Sequence, residues 1–273
     1  MPIADFVLSQ IWIYPVKSLG GISLQKAQLQ ERGLQHDRRW LVIDSDNCFL
    51  SQREHPEMAL IDVALGEDAL TLTHRKLPLA PLRVPFMPET FDLLNVSVWD
   101  DTIEAVIVND ECNRWLSQAL GQNVRLVFMP DTSPRLADAA YAHFDTNVSF
   151  ADGFPYLLIG QTSLDDLNTR LAERVEMLRF RPNFVVENSL PYDEEQWFEF
   201  EIGNAIFWGI KPCARCVMTT VNPETGQIAG KEPLKTLASY RKSGHKILFG
   251  QNVITRSTTS VQTGDSVRVI TRK

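Results

Sequence analysis

Two thiols, Cys213 and Cys216, flank Ala214 and Arg215 in the run Lys211-Pro-Cys-Ala-Arg-Cys-Val-Met-Thr-Thr-Val-Asn-Pro-Glu-Thr-Gly226. Their types and spacing allow chemistry more clearly than any other residues of the chain. A cation beside a thiol favours the thiolate, the form that attacks electrophiles and ligates soft metals, whereas a thiol packed among apolar groups stays protonated and inert. With Arg215 between the two sulfurs, a reactive or ligating cysteine is expected. Three other readings stand beside that one. Structural zinc asks for about four ligands, and the chain offers a single Cys-x-x-Cys with histidines scattered at 36, 55, 74, 143 and 245. A thioredoxin-like dithiol opens a helix after a strand, while Val217-Met-Thr-Thr-Val221 reads as a continuing strand. The third is a pair of packed core cysteines.

The scaffold for these thiols is a chain of 273 residues, 44% hydrophobic and 22% charged, which is enough for one large or two modest cores. A formal net charge of −7 gives nucleic-acid binding no general support and leaves room for a local basic pocket. The start Met1-Pro-Ile-Ala-Asp5 has no basic leader, and Ile11-Trp-Ile-Tyr-Pro-Val16 is too short to span a bilayer. A cytoplasmic protein without membrane contacts is expected. Cys48 and Cys112 are isolated, which argues against a disulfide framework.

Short strands separated by turns fill the first hundred residues: Phe6 to Tyr14, Ile22 to Gln30, Trp40 to Asp44, Phe49 to Gln52, Ala59 to Leu65 and Leu70 to His74, then Ser97 to Trp99 and Thr102 to Val108. Ser45-Asp-Asn and Gly66-Glu-Asp are the hairpin turns. Cys112, Trp115, Leu116, Ala119 and Leu120 recur at helical spacing and Gly121 supplies a stop, so Cys112 points inward. A second helix starts at Thr162 as N-cap, with Leu164, Leu167, Leu171 and Val175 as its apolar stripe, after a strand at Tyr156 to Ile159. Strands return at Asn183 to Glu187, Phe198 to Ile202, Ala205 to Ile210 and Val217 to Val221. A short helix at Pro233 to Arg241 precedes the closing strands Phe249 to Thr255 and Ser266 to Ile270. The change from dense strands to mixed elements places a boundary near residue 125.

Four motifs in order give these elements a relative. Tyr14-Pro-Val-Lys-Ser18, Phe180-Arg-Pro-Asn183, the run Cys213 to Gly226 and Leu248-Phe-Gly-Gln-Asn252 together resemble the MOSC family, in the branch of the mitochondrial amidoxime-reducing component and its bacterial relatives. The resemblance spans almost the whole chain. It implies a mainly β, α+β fold: a MOSC-associated N-terminal β-barrel domain over residues 1–124, then a MOSC β-barrel domain with a few helices over 125–273.

It also implies a cofactor and a site. In that family the second cysteine of the motif, here Cys216, ligates the molybdenum of a pterin cofactor (Mo-molybdopterin), and Cys213 is a neighbouring packed thiol. The positions matching the family's cofactor contacts are Lys17, Ser18, Arg38, Arg181, Asn183, Ala214, Arg215 and Asn252, with Gln251 beside the last, and Arg39 turns to the other strand face. Asp152-Gly153-Phe154-Pro155-Tyr156 resembles the segment that approaches the metal. Asp152 matches a proposed proton carrier there, and Gly153 and Phe154 replace residues of the animal branch, leaving backbone contacts. Asn252 stands where that branch has Tyr.

The implied activity is reduction of small N-hydroxylated compounds such as amidoximes, hydroxylamines and N-hydroxylated bases. No iron–sulfur cysteine set and no Gly-rich dinucleotide fingerprint is present, so electrons are expected from a separate flavin reductase or ferredoxin-type protein. The rival expectations are a cofactor carrier or sulfur-transfer module with a persulfide on Cys216, and a catalytically silent scaffold that binds a protein partner.

Overall fold

The computed structural model describes residues 6–228 and 230–273, so the opening Met1 to Asp5 lies outside the described residues. The chain is mainly β, with three α-helices among the described residues: Asp110–Leu120, Gln161–Thr169 and Leu234–Tyr240. None of them is long and apolar enough to cross a membrane.

Seven strands close a barrel. In order around the ring they are Tyr156–Gly160, Phe184–Glu187, Phe6–Ile13, Ser266–Arg272, Trp197–Ile202, Ala205–Arg215 and Lys246–Thr255, and the last pairs back with the first. Pairing is antiparallel except between Tyr156–Gly160 and Phe184–Glu187, where Leu158 lies opposite Phe184 in parallel register. Alternation fills the interior: Leu8, Ile11, Ile13, Tyr156, Phe184, Trp197, Phe200 and Phe207 pack as one buried cluster.

The first half forms a half-barrel of two open sheets. One runs Trp40–Ile43, Arg125–Phe128, Asp101–Ile107, Leu93–Val98, and the other joins Ile61–Leu65, Ala69–His74 and Leu82–Pro85. Helix Asp110–Leu120 lays Cys112, Trp115, Leu116, Ala119 and Leu120 onto the half-barrel core, as its spacing predicts. Asn109 caps its start, Gly121 ends it at φ 66°, and burial pushes the Cys112 thiol up to about 12. The halves are interleaved, because Phe6–Ile13 belongs to the closed barrel and pairs there with Phe184–Glu187 and Ser266–Arg272.

Several local expectations give way. Val217–Thr220 is a 3-10 turn, and the strand proper is confined to Val221–Asn222. The Thr219 and Thr220 hydroxyls donate back to the carbonyls of Cys216 and Val217 at 3.0 and 2.7 Å, which overrides the β preference of the run. Phe49 makes only an isolated bridge to Ile43. Pro56–Leu60 is a 3-10 turn ahead of Ile61–Leu65. The second helix is capped by Gly160 rather than Thr162 and stops at Thr169, so Leu171 and Val175 pack from the loop beyond it. Its first turn is served from a distance. The buried Glu194 carboxylate accepts from Gly160 N at 3.1 Å and from the Ser163 hydroxyl at 2.9 Å.

Candidate functional site

Strand Phe6–Ile13 leaves the barrel at Tyr14, and Pro15 turns the chain toward the half-barrel. Val16 bridges Trp40, and the Lys17 amide donates to Trp40 O at 2.9 Å. This lacing brings Lys17, Ser18 and Arg38 to the seam between the halves. Strand Ala205–Arg215 delivers Cys213 and Arg215 there from the other side, and Cys216 follows at its end. The result is a cavity of about 320 Å³, within the size range of small-molecule sites.

Every residue singled out from the resemblance as a contact except Gln251 borders this cavity: Lys17, Ser18, Arg38, Asp152, Gly153, Phe154, Arg181, Asn183, Ala214, Arg215, Cys216 and Asn252. Gln251 is fully buried on the opposite strand face beside Gly209. Arg39 also points away, donating to Met129 O at 2.5 Å and to Asp131 Oδ1 at 2.7 Å. Ser18, Arg38 and Arg181 adopt φ of 70°, 51° and 52°. For residues with a side chain this is a strained conformation that persists where the surroundings dictate it, often at functional sites.

Arg38 and Arg181 converge on Tyr14, their guanidinium carbons 4.6 and 4.0 Å from its ring centre. Arg38 Nη1 bonds the buried Asp37 carboxylate at 2.6 Å, and Nη2 donates to Arg181 O at 3.1 Å. Burial works against the Arg38 charge, and Asp37, Tyr14 and Asp152 together outweigh it. Burial lowers Arg181 to about 10, with Arg38 adding to the effect. Asn183 borders the cavity, but its amide is spent on the protein. Nδ2 donates to Trp12 O and to Asp37 Oδ2, both at 3.1 Å, and Oδ1 accepts from Leu157 N at 3.1 Å. Asn183 therefore positions the Asp37–Arg38 pair.

The carboxylate of Asp152 is the focus of the opposite wall. Lys17 Nζ donates to its Oδ1 at 2.5 Å and to Phe150 O at 2.7 Å. Arg53 Nη2 reaches Oδ2 at 3.3 Å, and Trp99 Nε1 reaches Oδ1 at 3.3 Å. Burial pushes the Asp152 carboxyl up, but Lys17 and Arg53 with those hydrogen bonds more than offset it and hold it well below the usual carboxylate range. Its side chain is 59% exposed, which discounts the size of the effect and leaves its direction, set by two adjacent cations. Burial lowers the Lys17 ammonium to about 8 against the pull of Asp152.

Arg53 and Trp99 are what sequence reasoning missed. Arg53 Nε donates to Cys216 Sγ at 3.2 Å, and its guanidinium carbon lies 4.3 Å from the Trp99 ring centre. The cation on the Cys216 sulfur is thus Arg53. Arg215, expected in that role, donates instead to Phe249 O at 2.9 Å and Phe180 O at 3.2 Å, because it ends a barrel strand beside those carbonyls. Burial raises the Cys213 thiol, which Arg215 partly counters. Cys213 packs against the cluster that includes Leu157, Phe180 and Phe249. Arg179 and Lys211 also border the cavity without having been singled out. Trp99, expected to end a strand from Ser97, instead lies in the turn after Val98 at φ 56°, which is why its role was not visible in the sequence.

Chemically, the cavity gathers seven cations (Lys17, Arg38, Arg53, Arg179, Arg181, Lys211, Arg215), one carboxylate (Asp152) and two thiols. Arg181 and Arg215 each leave a buried Nη2 without a partner, a cost that an anion held between them would relieve. No three His, Cys, Asp or Glu side chains gather as a metal cage among the described residues. A metal ligated by Cys216 would therefore need its remaining donors from an organic ligand. Cations with orphaned donors around one available thiol fit an anionic, metal-carrying cofactor.

Comparison with known proteins points the same way. Residues 5–123 match the MOSC N-terminal beta barrel domain and residues 145–268 match the MOSC domain. The chain is 35% identical to the mitochondrial amidoxime-reducing component 1 of Mus musculus, over 96% of this chain and 82% of that protein. It is 33% identical to the Homo sapiens protein of the same name, with the same coverage. The molybdenum cofactor sulfurase of Oryza sativa subsp. japonica is 35% identical over 91% of this chain and 32% of its own length.

Proposed function

The chain belongs to the MOSC family, and from that premise we propose that it is an oxidoreductase. It binds a molybdenum-pterin cofactor through the Cys216 thiolate and reduces N-hydroxylated compounds with electrons from a separate donor protein. The observation that carries this reading is the setting of Cys216: a half-buried free thiol in a cavity of seven cations, two of which keep an unused buried donor. The relatives named amidoxime-reducing components support the substrate class, since they align over nearly the whole chain.

Cys216 would hold the metal, and Lys17, Ser18, Arg38, Arg181 and Arg215 would hold the anionic pterin phosphate, with the Ala214 and Asn252 segments along its edge. When bound, the cofactor supplies two-electron oxygen-atom chemistry. The chain's own residues do the rest. Arg53 orients the Cys216 sulfur and the Asp152 carboxylate together, since one guanidinium donates to both. Asp152 is ionised at neutral pH and carries no proton of its own. The Lys17 ammonium it holds at 2.5 Å, which burial lowers to about 8, is the proton donor of the pair. Asp152, by far the weaker base, orients Lys17 Nζ at the cavity wall and leaves the proton on it.

The test is purification from a host that makes the cofactor, molybdenum analysis, and turnover of benzamidoxime with a reduced viologen dye. Wild-type protein should retain molybdenum and turn over, whereas Cys216→Ala should lose both. Full metal content and activity in Cys216→Ala would refute the ligand assignment. The similarity to the rice sulfurase supports a second reading, sulfur transfer through a Cys216 persulfide. Cyanide-labile sulfur on Cys216 in protein that holds no molybdenum would favour it.

A further inference from the structure

The charges of the cavity do not balance, and the imbalance has an address. Lys17 and Arg53 share Asp152, and Arg38 takes Asp37. Arg181 and Arg215 donate to main-chain carbonyls and keep one buried nitrogen each without a partner. Two cations are left over. Among the described residues, neither Arg179 nor Lys211 makes a hydrogen bond or an ion pair through its side chain. Lys211 Nζ sits 3.8 Å from the Tyr141 ring centre and 5.0 Å from that of Phe154. Arg179 comes from the 3-10 turn Met177–Phe180, next to the cavity-lining Phe180.

Both side chains are half-buried, and burial works against the charge of each. A half-buried cation with no counter-charge is unfavourable unless an anion arrives to pair with it. The acidic side chains that act on them, Glu176 and Glu173 on Arg179 and Asp138 on Lys211, do so from beyond ion-pair distance and leave burial the larger effect. We propose that Arg179 and Lys211 form a recognition subsite for a carboxylate or phosphate on the substrate, so that the preferred substrates are N-hydroxylated compounds that also carry an anion. The proposal rests on the reductase reading and deepens it. The Phe154 ring, which lines the cavity beside Lys211, favours an anionic group carried on a planar body, which stacks while the charge is paired. The excess positive field also concentrates such substrates at the cavity.

The experiment uses cofactor-loaded protein and compares benzamidoxime with 4-carboxybenzamidoxime in the viologen assay. In parallel, calorimetry measures binding of benzamidine and 4-carboxybenzamidine, which reports on the subsite whether or not turnover occurs. Wild-type protein should favour the carboxylate member of each pair by about tenfold, as a charge-assisted contact allows. Arg179→Gln and Lys211→Gln should each reduce that ratio several-fold, mainly through KM, and the double variant should bring it near one. Added salt should shrink the preference in wild-type protein. Absence of turnover with both substrates would sink the reductase reading while the binding ratio still judges the subsite. Equal binding of the two amidines, or a ratio that survives in the double variant, overturns the subsite. Loss of molybdenum from the double variant would assign the two cations to the cofactor instead. A defect seen only with a protein electron donor and not with the dye would assign them to docking of an acidic partner. A phosphate-bearing amidoxime run alongside distinguishes the two anions.

Discussion

Replacing Arg135 by Met should destabilise the whole molecule and loosen the wall that carries Asp152. The guanidinium is 5% exposed and is the common anchor of the segment 149–152. Nη1 donates to Ser149 O at 2.7 Å and also to Ala151 O, Nη2 reaches Asp152 O at 3.3 Å, and Nε bonds Asp101 Oδ2 at 2.8 Å. Met keeps the aliphatic volume but strands the Ser149 and Ala151 carbonyls away from water, and each buried unsatisfied group costs about 1–3 kcal/mol. The Asp152 carbonyl bond is long, and Asp101 is half exposed and recovers its hydration, so these two add little. The sum is about 2–6 kcal/mol, which brackets the cost of other broken buried ionic contacts. For a cooperative unit of this size that lowers Tm by roughly 4–24 °C. Scanning calorimetry on the apo and loaded proteins measures it, and the loaded variant should also show a reduced kcat, because Asp152 is no longer held beside Lys17. A Tm drop below about 3 °C would show that water replaces the guanidinium freely and that the segment is not anchored as described.

Trp99 occupies the first position of the two-residue turn between Leu93–Val98 and Asp101–Ile107 at φ 56°. Trp99→Gly relieves about 1 kcal/mol of strain and removes the support under Arg53, so Tm should change little while kcat/KM falls several-fold. Unchanged kinetics would refute the support role. Glu194 is fully buried, and burial raises its carboxyl from 4.5 to about 7. It holds its proton more tightly folded than unfolded, so its contribution to stability is complete below pH 4.5 and is lost as pH rises to about 7. Glu194→Gln should flatten that part of the stability–pH curve, which spans a few kcal/mol, and urea titrations at about pH 4.5 and about pH 7.5, on either side of that window, decide it.

What was legible in the sequence depended on whether a residue's role is fixed nearby. Helix Asp110–Leu120 announces itself, because its apolar spacing, its Asn109 cap and its Gly121 stop are all local. Val217–Thr220 did not, because two threonine hydroxyls turn a β-rich run into a 3-10 turn. The thioredoxin-like alternative, set aside on that supposed strand, is better answered by topology: Cys213 lies in an antiparallel strand of a closed barrel. Thr162 looked like a cap because nothing in its neighbourhood reveals that Glu194, 34 residues from Gly160, supplies the acceptor. Arg53 was invisible for the same reason. It sits in the polar run Ser51-Gln-Arg-Glu-His55, and its meaning comes from a sulfur 163 residues away. Sequence also shows 27 Lys and Arg without showing which seven meet at the cavity or which of those are neutralised, and only the pairing in space leaves Arg179 and Lys211 over.

The strand that appears out of place, Phe6–Ile13, explains how so many like charges stay together. Cations gathered in one cavity repel and need a frame that cannot open. Here the frame is covalent as well as packed: the chain passes from the barrel directly into Tyr14, Lys17 and Ser18. The same strand is hydrogen-bonded on both sides by barrel strands from the other half. Separating the halves to relieve the repulsion would require pulling a central strand from the ring. The left-handed conformations at Ser18, Arg38 and Arg181 are held by that closure, as is the three-way tie of Asn183 to Trp12, Asp37 and Leu157. The donors are therefore fixed before any ligand arrives, and a ligand that brings negative charge meets a site whose reorganisation has already been met by folding.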